Sequence, residues 1–277
     1  MKMKNKEKQK DPIRNKRNKN PISAKQRLYT SFLLMLLALV AVTAATVAWF
    51  SIADNTKVKS MSLDIVSGVD LRMDLDPHKT LEEYVKTLSF DQIAERIQKE
   101  KGFSMKETPL EPVTTQDEEV FTFENGTIAE STSGVYLEFT LHFMAAKDMV
   151  VHLTSADSSE TAGDGTEVLS ENAALPASMR ISFSTDGKTW IYDPGMENIS
   201  VTEGNTKNFG LPEKSMMELN EDNAMFSMKE GIKKEVKVHI WMEGTDPACN
   251  DGLKGADYAI RLRFTGTDEN GQPFSEQ

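Results

Sequence analysis

Cysteine is almost missing from this chain: Cys249 is the single one among 277 residues. An internal disulfide is thereby excluded, and with it the small stapled secreted scaffold. Catalytic signatures are missing too. There is no G-x-S-x-G, no H-E-x-x-H and no glycine-rich phosphate loop, so nothing proposes a hydrolase, a zinc helix or a nucleotide site. The expectation is a protein that is not an enzyme and holds no cofactor.

Acidic residues are scarce at the start and abundant afterwards. Residues 1–30 hold eleven Lys or Arg against Glu7 and Asp11, a balance of +9; the remainder holds 21 basic and 41 acidic residues, a balance of −20. Between the two regimes, residues 31–50 carry no charge at all. About 20 apolar residues suffice to cross a hydrocarbon core as a helix. The basic flank is then expected to stay in the cytoplasm and the acidic body to be exported, because positive residues beside a span set its orientation. The division is therefore a basic leader over 1–30, a signal peptide or transmembrane helix over 31–50, and an exported domain over 51–277.

No aromatic is interleaved with the lysines of the leader. Topology and attraction to anionic lipid heads explain it better than nucleic-acid binding, and the acidic body disfavours polyanions. The membrane is the first expected partner. Small residues crowd the end of the apolar run, with Thr46 and Ala48 at the spacing a signal peptidase requires and Trp49 as the first residue after the cut. The apolar run is longer than usual for a cleaved signal, so an uncleaved anchor stays open beside processing.

The same stretch carries a resemblance. Thr46-Val47-Ala48-Trp49-Phe50-Ser51, then Asp54-Asn55-Thr56, then Ser60-Met61-Ser62-Leu63-Asp64-Ile65 resembles the amino terminus of the TasA/camelysin family of bacterial surface and biofilm-fibre subunits. The resemblance implies a jelly-roll-like β-sandwich, processing by a SipW-type signal peptidase, and self-association or association with matrix proteins. Met61-Ser62 stands where that family has Gly-Thr, and the leader is longer than its signals. The stretch 238–266 resembles uncharacterised exported proteins of Gram-positive bacteria and implies no activity.

The body reads as mainly β. Apolar residues alternate at Met61, Leu63 and Ile65; at Val69, Leu71, Met73 and Leu75; at Val135 to Phe143; at Met149, Val151 and Leu153; at Met179, Ile181 and Phe183; at Val236 to Met242; and at Ile260, Leu262 and Phe264. A period of two predicts half-buried strands, and Asp186-Gly187 and Asn270-Gly271 predict turns. The expected fold is an antiparallel jelly-roll-like sandwich. Residues 80–101 interrupt it with helical spacing, Leu81, Tyr84, Val85 and Leu88 and then Ile93, Ala94 and Ile97, with Ser89 and Gln92 forming a capping box. Two short helices are expected there as a lid. Residues 155–174 read as a surface loop, and 198–222 show little period of either kind.

His142, His152 and His239 fall out of phase with their apolar neighbours and are expected on the outer face as ordinary surface histidines. His142 and His152 would share a metal only if their strands were paired. The acidic stretches 246–251 and 157–167 supply oxygen ligands but do not match a calcium loop. Cys249 reads as a tucked-in loop cysteine. Trp241 is also out of phase, which makes it the candidate surface contact unless a loop or the helical insertion covers it. Function is accordingly expected to be structural: a surface or matrix protein that assembles by lending residues 49–58 as a strand. The alternative is a membrane-anchored module for glycans or peptides.

Overall fold

The structure is a computed structural model that describes residues 25, 29, 31–38, 57–65, 71–154, 165–196, 199–211, 219–253 and 256–274. The chain divides into two units, 1–44 and 45–277. In the first, residues 31–38 are helical, and their apolar side chains from Phe32 to Leu37 are exposed. Among the described residues no helix is long and apolar enough to cross a membrane.

The second unit is mainly β and sandwich-like. One sheet contains β1 (Val58–Ile65), β3 (Thr87–Ser89), β7 (Met149–Leu153), β8 (Glu167–Ser170), β13 (Ala224–Met228) and β15 (Tyr258–Thr267). The other contains β2 (Leu71–Asp74), β4 (Pro112–Thr115), β5 (Phe121–Thr122), β6 (Leu137–Ala145), β9 (Met179–Thr185), β10 (Lys188–Tyr192), β11 (Ser200–Glu203), β12 (Thr206–Phe209) and β14 (Lys234–Glu243). The alternating apolar sets face inward and meet between the sheets. Phe264 of the first sheet lies 5.4 Å from Phe143 and 5.7 Å from Phe183 of the second, both edge-on. All three rings are fully buried, and such pairs add to the hydrophobic gain of burial.

The sheets are mixed and not purely antiparallel. β1 runs parallel to β15, β12 to β10 and β4 to β14. β1 is also held on its other side by β3, so it is an interior strand. Asp64 of β1 pairs with Arg263 of β15.

Only half of the expected helical insertion is helical. Helix α1 (Phe90–Lys101) starts where the capping box places it: the Ser89 N–H donates to Gln92 Oε1 at 2.9 Å. Ile93 and Ile97, one turn apart, enter the main core. Before it, the Thr80–Glu83 box yields one 3-10 turn, Leu81–Glu83. The next residues are extended because the open edges of both sheets claim their backbone. Met73 N–H donates to Val85 O at 2.9 Å, and Ile65 N–H donates to Lys86 O at 2.8 Å. Ladder bonds and β-branched Val85 and Thr87 outweigh a helical period of four apolar residues.

The Asp186-Gly187 hairpin forms as the dipeptide requires, with φ of 52° and 71° at its two central residues, joining β9 to β10. Two stretches without period also hold structure. β11 and β12 lie within 198–222, and the expected loop at 155–174 is interrupted by β8 at 167–170 and ends where helix α2 (Ala174–Ser178) begins. β11 buries no side chain fully and β12 buries only Phe209, so no alternation marks them.

Candidate functional site

The outer face of the nine-stranded sheet carries the residues that fall out of phase with the core. Register sets them in rows across β6, β14 and β9: Glu138, His239 and Ser182 in one, and Thr140, Lys237 and Ser184 in the next. Residues 110–136 cross part of this face as a third layer. β4 extends the sheet beside the end of β14, β5 pairs with β4, and Val113, Phe121, Ala129, Val135 and Tyr136 form a second core with Ile191 and Trp241.

Trp241 is therefore not a surface contact. It is 2% exposed, with Phe121 edge-on at 5.4 Å and its Nε1 donating to Glu243 Oε2 at 2.9 Å. The cover is the segment 110–136 and not the helical insertion. Stacking a sugar on this indole would require that layer to lift.

His239, also 2% exposed, departs from the expected surface position for the same reason. Phe121 stacks on Tyr136 at 4.2 Å and meets the imidazole edge-on at 5.2 Å. The Nε2 of His239 lies 3.3 Å from Glu138 Oε2, and its Nδ1 lies 3.5 Å from Ser182 Oγ. The other carboxylate oxygen, Oε1, pairs with Lys101 at the end of α1. The hydrogen bond from His239, with the Lys101 ammonium, holds Glu138 down to about 2. The connectivity, serine to histidine to carboxylate, is that of an acyl-transfer triad. Ser182, however, is fully buried, and a nucleophile must reach its substrate. The row serves as a polar clamp between helix, sheet and cover.

His152 also departs from the surface. It is 3% exposed, with Nδ1 3.0 Å from Asn223 Oδ1 and Nε2 3.0 Å from Thr267 Oγ1, which ties β13 and β15 to β7. Burial pushes its pKa down. His142 stays half-buried on β6, in the other sheet, so the two histidines belong to unpaired strands and share no metal. Among the described residues no group of three metal-ligating side chains converges. Cys249 is buried, and that burial pushes its thiol up to about 12. In the acidic stretch 246–251, Asp246 accepts from Arg180 at 2.5 Å. In 157–167, Glu167 pairs with Arg261 at 3.1 Å, while residues 157–164 lie outside the described residues. So do Thr46, Ala48 and Trp49.

Past the aromatic cover the outer face opens into a cleft of about 810 Å³ between the β9–β10 turn, residues 116–119 and residues 229–237. Lys237 stands on its sheet-face wall, with Ser184 Oγ and Thr189 Oγ1 hydrogen-bonded at 2.9 Å close by. Glu118 accepts from Thr206 Oγ1 at 3.4 Å, and burial raises its pKa. Nothing in the alternation of β14 distinguishes Lys237 from other outward residues. The cleft was hidden from sequence because four separated stretches build it.

No family model matches the chain, and no curated protein or solved structure matches it either. Fold and site together define its class: a mainly β, two-sheet protein with a third layer over one outer face and a charged cleft beside that layer.

Proposed function

We propose that the chain is a non-enzymatic structural protein of the cell surface or extracellular matrix, similar to TasA/camelysin subunits. The observation that carries this reading is the switch from +9 to −20 across the uncharged residues 31–50, the pattern that sends a body across a membrane behind a cationic leader. The exposed apolar side chains of the helical residues 31–38 support it, since lipid is the solvent such a surface fits. The sandwich is read as a jelly-roll variant whose parallel neighbours, β1 beside β15 above all, arise from non-sequential pairing. A signal peptidase cuts after Ala48, and the segment from Trp49 onward joins the open edge of a neighbouring copy by strand addition.

The test is made on cells: protease accessibility of the body, the amino terminus of the exported chain, and electron microscopy of the purified material. A protease-sensitive body, a terminus near Trp49 and filaments support the subunit. A body shielded inside the cell overturns the whole reading.

A second reading, a membrane-anchored binding module, is favoured by the cleft beside Lys237. An intact leader with monodisperse protein in membranes supports it over the fibre.

A further inference from the structure

We propose that the cleft between the β9–β10 turn and residues 229–237 binds an anionic, hydroxyl-bearing sugar unit, with the anion on the Lys237 ammonium. The proposal deepens the binding-module reading. It is tested in solution, so that its failure leaves export and assembly untouched.

The body as a whole is strongly acidic, yet five of the nineteen residues lining this cleft are lysine, where basic residues make up only 21 of the 247 after residue 30. Five acidic residues line it too, so lysine is enriched while the lining as a whole is formally neutral. Two of them are already neutralised: Lys234 pairs with Asp186, and Lys229 with Asp148 at 2.5 Å. Lys188, Lys233 and Lys237 have no ion pair among the described residues, and Lys237 is the partly buried one of the three. An ammonium on a sheet face between Thr140 and Ser184, making no ion pair among the described residues, can take an anion.

The acidic side of the cleft makes no ion pair with Lys237 among the described residues. Asp117 Oδ1 is engaged by the N–H groups of Glu119 and Val120 at 3.0 and 2.8 Å. The Glu118 carboxylate is turned to Thr206. Glu119 and Glu235 are exposed at the rim.

The lining also says what kind of anion fits. Ile232 is its one apolar side chain and it has no aromatic, so neither an apolar ligand nor stacked bases would be held. Ser184, Thr189 and Thr206 offer hydroxyl groups, the partners that sugar hydroxyls need. A cavity of this volume holds more than one ring. The charge comes from a uronic-acid carboxylate or from a polyol phosphate; the chemistry on the protein side is the same.

The full chain in detergent micelles is titrated by calorimetry with a galacturonate trimer, a glycerol-phosphate trimer and, as neutral control, a glucose trimer. At least one anionic trimer is expected to bind, with affinity falling as salt rises, and the neutral one is not. The trimer that binds identifies the source of the charge. Lys237→Gln is expected to weaken binding about tenfold, the loss of one charge-assisted contact, while Lys229→Gln, whose ammonium Asp148 occupies, changes it less than about twofold. If Lys237→Gln melts lower than the parent chain, Lys188→Gln in the same lining takes its place. The proposal is overturned if neither anionic trimer binds, if the neutral trimer binds as well as they do, or if the folded lysine variants bind unchanged.

Discussion

His239 and Glu138 sit directly opposite each other on β14 and β6, with Nε2 3.3 Å from Oε2. Because Lys101 takes the second oxygen of the same carboxylate, one side chain joins helix α1, the sheet and the imidazole under the aromatic cover. Glu138 is held down to about 2 from an ordinary 4.5, so the folded chain binds its proton more weakly than the unfolded chain does. Ionised Glu138 therefore adds stability above about pH 4.5, and that contribution disappears as pH falls toward the folded value. Glu138→Gln is expected to lose roughly 2 kcal/mol at pH 7, the full shift being discounted for partial exposure. Urea titrations should find the difference from the parent chain shrinking between pH 4.5 and the acid limit.

Glu118 works in the opposite direction. Burial raises its pKa, so the folded chain holds that proton more tightly, and the stabilisation is present below its ordinary value and lost as pH rises through the folded one. Glu118→Gln is expected to stabilise by up to about 1 kcal/mol at pH 7 and to make no difference in acid. Paired thermal melts at the two pH values check it.

His152→Ala removes the imidazole that bridges Asn223 Oδ1 and Thr267 Oγ1 and is expected to destabilise by about 2 to 4 kcal/mol. Since burial lowers the His152 pKa, its neutral form supports the fold above pH 6.5, and this support is lost as pH falls through the folded value. Hydrogen exchange should show β13 opening first, because the imidazole joins that edge strand to β7 and β15.

Phe121→Ala removes the ring that touches Tyr136, His239 and Trp241 together. A loss of about 3 to 5 kcal/mol is expected. The signature is local: faster amide exchange over 112–136 and red-shifted Trp241 emission, with β7 and β15 still protected.

Much of the main core was legible from alternation alone. Leu63, Leu141, Phe143, Phe183, Val238, Leu262 and Phe264 all lie inside, since a half-buried strand must repeat every second residue. The Ser89–Gln92 cap and the Asp186-Gly187 turn were legible for a similar reason: each is closed by groups only a few residues apart. Val85 misled, because its helical spacing was real while its hydrogen-bond partner, Met73, lies on β2. The third layer had one faint signal. Trp241 and His239 out of phase on a polar face require a cover, but not one that their spacing can locate.

By itself the sequence determined the charge reversal about residues 31–50, the absence of an internal disulfide, and most strands with their inward faces, because composition and short-range periodicity need no knowledge of distant neighbours. Tertiary structure alone decided that β1 is an interior strand beside β15, that residues 110–136 bury Trp241 and His239, and that Lys237 faces a cleft and makes no ion pair among the described residues. Each of these depends on which distant backbone groups and side chains meet, and hydrogen bonding and ion pairing across long chain separations leave no period behind.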